Sequence, residues 1–417
     1  MSLFIFLAAL AVLPPTDPAI PLEDRLFMPY ADLMEPATYS PDAFRDLRSR
    51  IEHDRDEKLE ASKKTEKQWK RELDAAREEL AELNRMRSVD TPGGRARREQ
   101  LHVDIAALER GIQEKTEEHD ITIPAEYDKH LTKLWLIEHW PEERSEILVH
   151  IDQGKGRQRP HGDVEDIGYR RIVKDPTDDI ETGRQAVRQM TASGWLPPEL
   201  EDEETQAYVR QLANRIAVHS DLKVPLHVTV LEGDDIKVLT LPGGYIFVSS
   251  GVLLTAQTES ELACVLSREI ARIAARHAAR ASKRSLFSKM FLPVAQIATG
   301  MFTPGLNQAA YYGIGYGLQG INGVMDHLMD GAVEKYQKEA DQLGAQYAWK
   351  AGFDPKGSLD FLEALEGSAT AEFLPARPVL RARLLNLFSE VEYLGPTQNR
   401  VLDSPEFQQT RDRLRRR

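Results

Sequence analysis

Residues 261–280 read ELACVLSREIARIAARHAAR. Leu262, Val265, Leu266, Ile270 and Ile273 recur at helical spacing, so the stretch reads as one helix with a buried face. Inside it stands Arg268-Glu269-Ile270-Ala271-Arg272. With histidine at 268 and 272 these residues would spell HExxH, in which two imidazoles one turn apart bind zinc and the Glu between them activates water. Here both positions carry guanidiniums, which stay protonated and have no lone pair to donate. Cys264 falls on the apolar face of the same helix and reads as a buried structural thiol. As the chain's one cysteine it excludes an internal disulfide and any Cys-rich zinc site.

Two further segments flank this helix. Upstream, Leu241-Pro242-Gly243-Gly244-Tyr245-Ile246-Phe247-Val248 predicts a hairpin turning at Pro242-Gly243-Gly244, with arms at 236–241 and 245–248. An alternating strand, 224–231, precedes it, and helices are expected at 180–193 and 204–219. Downstream stand Glu339-Ala340-Asp341-Gln342-Leu343-Gly344 and Ala351-Gly352-Phe353-Asp354-Pro355.

In this order the three segments resemble peptidase family M48, the gluzincin-type zinc metallopeptidases that include the CAAX prenyl protease and HtpX. Members read roughly ELAxVLxHEIxHxxARH, LPGGxIxV and EADxxG…AGYDP. The resemblance implies an α+β fold: an active-site helix, a small sheet carrying the LPGG hairpin, and a second ligand-bearing helix. It implies proteolysis through zinc, with the peptide paired to the strand before the hairpin turn by strand addition. Carried over by position, Arg268 and Arg272 stand where the family has its two His ligands. Gln337, four residues before Asp341, stands at the third ligand, a Glu in the family. Glu269 is the general base, here vestigial. Arg377 stands at a later family His, and Asp341, Arg377 and His277 are expected to support the site. Lys237, Val238 and Leu239, with Gly243 and Gly244, stand at the peptide-binding edge, where the family reads close to NAF.

The expected metal content is none, and no cofactor. Gln337 offers at best a neutral amide oxygen, and two guanidiniums would repel a dication by several kcal/mol at an effective dielectric of about 20. A rebuilt site from His277, Glu334 and Asp341 is the competing reading, but on one continuous helix His277 would lie roughly 12 Å beyond Glu269. Removing a dication leaves buried carboxylates without a counter-charge, which is costly. An Arg–carboxylate network of Arg268 and Arg272 with Glu269 and Asp341 is therefore expected. The alternative is that both arginines turn to solvent.

The chain has 417 residues, 41% hydrophobic and 29% charged, enough for a sizeable core and an accessory region. A net charge of −13 argues against nucleic acid as a partner. Residues 3–13, LFIFLAALAVL, form an apolar run before Pro14-Pro15, too short to span a bilayer comfortably and lacking a preceding Lys or Arg. Residues 1–20 fit an atypical signal peptide, a signal whose first residues precede this start, a buried strand, or a light anchor. Export to the periplasm or envelope is the expectation carried forward.

Ser40-Pro41-Asp42 is a helix start. Trp69, Leu73, Ala76, Leu80 and Leu83 then form a coiled-coil seam, and Leu101, Ile105, Leu108 and Ile112 a second stripe across a break at Thr91-Pro92-Gly93-Gly94. Residues 41–120 thus read as an antiparallel helical hairpin, either a solvated coiled coil or a partner-binding arm, with self-association through it open. The start of the longer helix, around Phe44, Leu47 and Ile51, must pack elsewhere or fray.

Residues 121–177 read as a connector, with Pro141 ending an apolar run and 154–162, GKGRQRPHG, a solvated linker. The peptidase-like domain is expected over 178–400, with 401–417 a basic tail whose end, Arg411 to Arg417, is expected at the surface. Met290 to Met325 carries no charged residue and is expected to be buried against the domain or a second copy, with peripheral membrane contact next in order.

These observations lead to one expectation and two competitors. The expectation is a catalytically inactive homologue of a zinc metalloendopeptidase, a pseudoenzyme that binds a peptide or protein partner as an envelope scaffold. The competitors are an active metalloendopeptidase with unorthodox ligands and a coiled-coil structural protein.

Overall fold

The structure, a computed structural model, describes residues 20–85, 91–170, 172, 177–194, 196–277, 280, 332–366 and 377–417. The apolar run 3–13 and the uncharged stretch 290–325 lie outside them. Among the described residues no helix is long and apolar enough to cross a membrane. The chain divides into two units, Met1–Met28 with Asp32–Pro141, and Pro29–Ala31 with Glu142–Arg417.

The first unit is helical. A short α1, Leu22–Arg25, precedes α2, Pro41–Arg85, whose Ser40 hydroxyl accepts the Ala43 N–H at 3.2 Å. The third helix, α3, spans Pro92–Glu117. Arg97 bonds Glu79 at 2.7 Å, Arg77 bonds Glu109 at 2.7 Å, and the Trp69 ring lies over Gly111, so α2 and α3 run antiparallel. Leu73 and Leu101 are buried between exposed flanks. Pro92-Gly93-Gly94 is not the turn. It forms the first turn of α3, where a missing proline N–H costs nothing and the Thr91 hydroxyl accepts the Gly94 N–H at 3.1 Å.

A π-turn, Glu118–Thr122, leads into α4, Ile123–Asp152. Phe44, Leu47 and Ile51 at the start of α2 are buried, and Arg48 bonds Glu138 of α4 at 2.6 Å. Pro141 does not end the helix; it lies inside α4. Leu134, Leu136, Ile137 and Trp140 are buried in the preceding turn, and packing outweighs the one lost backbone bond.

The second unit is α+β. Helices α5, Thr177–Ala192, and α6, Glu203–Ala217, precede β1, His227–Leu231, β2, Val238–Leu241, and β3, Tyr245–Ser249. The sheet order is β1-β3-β2, with β1 parallel and β2 antiparallel to β3. At the β2–β3 turn, Gly243 and Gly244 have φ of 78° and 101°. A Cβ on Gly244 would lie 1.8 Å from the Pro225 carbonyl oxygen, so only glycine fits.

After α7, Ser250–Thr255, comes the central helix α8, Glu259–Ala274. The Thr258 hydroxyl accepts the Glu261 N–H while the Glu261 carboxylate accepts the Gln257 N–H, a reciprocal cap. Leu262, Leu266 and Ile270 are fully buried in one core with residues of α6, β1 and β3, each contributing roughly 1.5–3 kcal/mol. The helix does not run on to 280. It ends at Ala274, and Arg276 takes a left-handed φ of 52°. That conformation is costly for a side chain with a Cβ. Here the Arg276 guanidinium is held by Asp179 of α5 at 2.6 Å.

The chain continues in α9, Ala332–Lys350, α10, Gly357–Glu366, α11, Arg377–Leu394, and α12, Pro405–Arg415. Helix α9 lies along α8 so closely that a Cβ on Gly344 would sit 2.8 Å from the Arg268 Cα. Of the tail end expected at the surface, Asp412 and Arg415 to Arg417 are exposed, but Leu414 joins the core with Phe407 of α12, and buried Arg411 donates to the Gln257 and Leu254 carbonyls. The apolar Phe407 and Leu414 face explains this, since the intervening arginines mask it in composition.

Candidate functional site

Glu269 lies on the side of α8 that meets both β2 and α9. Its carboxylate is buried, 3% exposed, and both oxygens are taken. One, Oε1, accepts from the Arg268 guanidinium at 3.0 Å. The other, Oε2, accepts from the Thr240 hydroxyl of β2 at 2.5 Å and from Arg272 at 3.3 Å. Arg268 also donates through Nε to Asp341 of α9 at 2.8 Å. Asp341 in turn receives two bonds from Arg383 of α11, at 2.8 and 3.0 Å. A continuous chain of charge-assisted bonds thus joins the edge strand to α8, α9 and α11.

Burial pushes the Glu269 carboxyl up, but Arg272 and Arg268 outweigh it and hold it below its usual range. For Asp341, Arg383 and Arg268 overcome burial in the same way. Arg268 is raised by Asp341 and Glu269 against its own desolvation. A general base works best with a pKa near the operating pH. Glu269 is driven away from that range, and its lone pairs already point at donors.

The donor set does not fit a zinc ion. The two positions one turn apart on α8 present guanidiniums. The third, Gln337 of α9, has a buried side-chain oxygen with no partner among the described residues, an amide acceptor where a carboxylate would be needed. Among the described residues no group of three His, Cys, Asp or Glu is arranged to hold a metal.

Of the residues singled out in the sequence, Arg268, Arg272, Glu269 and Asp341 meet in this one network, and the arginines do not turn away from it. Arg377 opens α11, and its side chain is outside the described residues, as is that of Glu334. The α11 arginine seen on Asp341 is Arg383, which no motif marks. His277 is not drawn to Asp341. Its Nε2 meets Glu339 at 3.0 Å and its ring stacks on Tyr336. Of the edge residues, Val238 and Leu239 lie in β2, while the Lys237 ammonium pairs with Asp235 at 2.6 Å. Burial pushes the Cys264 thiol up to about 12, an inert group.

The sequence reading missed a second cluster. The segment 154–162 is exposed at Gly154, Lys155, Arg157, Gln158 and Pro160, but its end is pinned. Arg159 bonds Glu390 at 2.9 Å, Gln342 donates to the Pro160 carbonyl at 2.8 Å, and His161 meets Glu339 at 3.2 Å. Glu339 therefore takes His161, His277 and Arg280 at once. Burial pushes its carboxyl up, but these partners prevail and hold it well below the usual carboxylate range. The local signal was available only in part: Glu339 stands in the EAD segment, but nothing near His161 announces it.

A family model described as Peptidase family M48 matches residues 202–391. The beta-barrel assembly-enhancing protease of Yersinia pestis is 28% identical over 219 residues, 50% of this chain and 43% of that protein. Its namesake in Escherichia coli K12 is 26% identical over 227 residues, 52% of this chain and 45% of the relative. The mitochondrial metalloendopeptidase OMA1 of Schizosaccharomyces pombe is 30% identical over 191 residues, 43% of this chain and 51% of the relative. The chain spans about half the length of the curated relatives it matches. Residues 202–391, with Arg268-Glu269 on the central helix and Asp341 on the next, thus match peptidase family M48.

Proposed function

We propose that this chain is a zinc-free, catalytically silent member of its family that binds an extended peptide segment along β2 and acts as a scaffold. One observation carries the reading: the Arg268 guanidinium stands between Glu269 and Asp341, bonded to both, where the family would place a metal ligand. A cation fixed there by two carboxylates is a substitute for the metal's charge and offers none of its Lewis acidity. Glu269 is left as a carboxylate whose two oxygens are held by Arg268, Thr240 and Arg272.

Strand addition at β2 needs no metal, so peptide binding survives the loss of chemistry. The Yersinia pestis and Escherichia coli relatives are named for enhancing β-barrel assembly, and we place this chain's partner in that process, in the cell envelope. The helical hairpin at 41–120 supplies a second partner-binding surface.

The test is metal analysis of the purified full chain together with a casein turnover assay. We expect no bound zinc after dialysis and no turnover. One equivalent of zinc with chelator-sensitive cleavage would overturn the proposal. As a positive arm, Arg268→His, Arg272→His and Gln337→Glu made together restore a three-ligand set and should bring zinc into the protein, whereas any one of them alone should not.

A further inference from the structure

The edge of β2 that has no partner strand among the described residues meets a surplus positive charge at one atom, Glu269 Oε2. Ser249 N–H donates to the Lys237 carbonyl at 3.0 Å, which makes 237 and 249 a hydrogen-bonded pair of the antiparallel ladder. The pairs then alternate, so Leu239 and Leu241 turn their backbone groups toward β3. Val238 and Thr240 turn theirs away from the sheet, and these have no partner among the described residues. The next outward position is Pro242, which has no N–H and enters the turn. The ladder available to an added strand therefore ends at Thr240.

Arg272 stands at that end. The Glu269 oxygen that takes the Thr240 hydroxyl also takes the Arg272 guanidinium. Its single bond there is long, 3.3 Å, and the side chain is 44% exposed. Arg268 and Arg383 are 25% and 10% exposed and point inward at Asp341. Among the described residues the network sets three guanidiniums, Arg268, Arg272 and Arg383, against two carboxylates, Glu269 and Asp341. The surplus positive charge emerges at Arg272, most of whose donors have no partner among the described residues.

A strand laid on Val238 and Thr240 thus runs out of backbone partners where it reaches a half-exposed guanidinium. A chain end suits that place, and a carboxylate suits that charge, since guanidinium and carboxylate pair bidentately. We propose that β2 takes the extended C-terminal segment of its partner and that Arg272 holds the terminal carboxylate. This rests on the peptide-binding reading above and adds to it which part of a polypeptide is recognised.

The test uses the full chain and fluorescent pools of random decapeptides, read by polarisation. One pool ends in a free carboxylate, a second is its C-terminally amidated twin, and a third is amidated with a fixed internal Glu. We expect the free-acid pool to bind about tenfold tighter than either amidated pool, the scale of one good charged pair. In Arg272→Met the advantage should vanish while weak binding of the amide pool remains. In Arg272→Lys part of it should return. Equal binding of acid and amide pools by the unmodified chain overturns the inference and leaves peptide binding standing. Equal binding of the internal-Glu pool overturns the assignment to a chain end. If no pool binds, the peptide-binding reading fails and the inference falls with it.

Discussion

At Arg268 a single side chain satisfies two buried carboxylates on different helices, Glu269 on α8 and Asp341 on α9. The cost of removing it follows from what remains. Glu269 and Asp341 are 3% and 2–3% exposed and cannot recover their hydration. Arg272 and Arg383 keep partial contact with each, so the loss is not total. Arg268→Met should destabilise the protein by about 3–5 kcal/mol, the range for a broken buried ion pair, measured by urea unfolding. Arg268→Lys keeps the charge but cannot fork to both carboxylates, and should fall between Met and the natural residue. An unfolding midpoint unchanged in Arg268→Met would mean that the network contributes nothing to stability.

The contact of α8 with α9 is set by Gly344. Its missing Cβ lets the backbone of α9 approach the Arg268 Cα, and this proximity lets Arg268 reach Asp341 one turn earlier on α9. Alanine at 344 would favour the helix by about 1 kcal/mol, yet its Cβ would meet backbone at 2.8 Å, where no flexible side chain can give way. Overpacking of this kind costs roughly 1–3 kcal/mol. Gly344→Ala should therefore be net destabilising and should lengthen the Arg268–Asp341 contact in a crystal structure. A variant more stable than the parent would show that the helices have room to part. The same element scale explains the edge strand: β2 is short, pairs on one side among the described residues, and ends at a proline, features that leave two residues for a partner.

Across the second unit, acid should act through the cluster that seats 154–162 on α9. His277 is lowered from 6.5, chiefly by burial and against the pull of Glu339, so it folds neutral. The unfolded chain binds that proton more readily, so stability falls as pH drops through about 6.5. Glu339 is held below its usual 4.5, so its contribution is present above that pH and lost below it. Both effects have the same sign. The surrounding charges are His161 from the loop, Arg280 beside Glu339, Arg272 acting on His277 at a distance, and Arg170, which donates to the His161 carbonyl. The melting temperature should be flat above neutral pH and decline on acidification, first through His277 and then through Glu339. His277→Gln should flatten the upper part of the decline and leave the lower. A melting temperature that does not change between neutral and mildly acidic pH would refute this account of the cluster.

By itself the sequence determined the features carried by local period and by donor chemistry. The apolar spacing of α8, the glycines of the β2–β3 turn and the absence of lone pairs at 268 and 272 are all properties of a few adjacent residues. Only the tertiary structure decided which charges meet. Arg383 reaches Asp341 across 42 residues and His161 reaches Glu339 across 178, and no periodicity relates such positions. The break at Ala274–Arg276 was hidden for the same reason, because the residue that holds Arg276 in its left-handed turn is Asp179, on another helix. Helix propensity runs unbroken through this alanine- and arginine-rich stretch, and a long-range ion pair goes with the chain's departure from it.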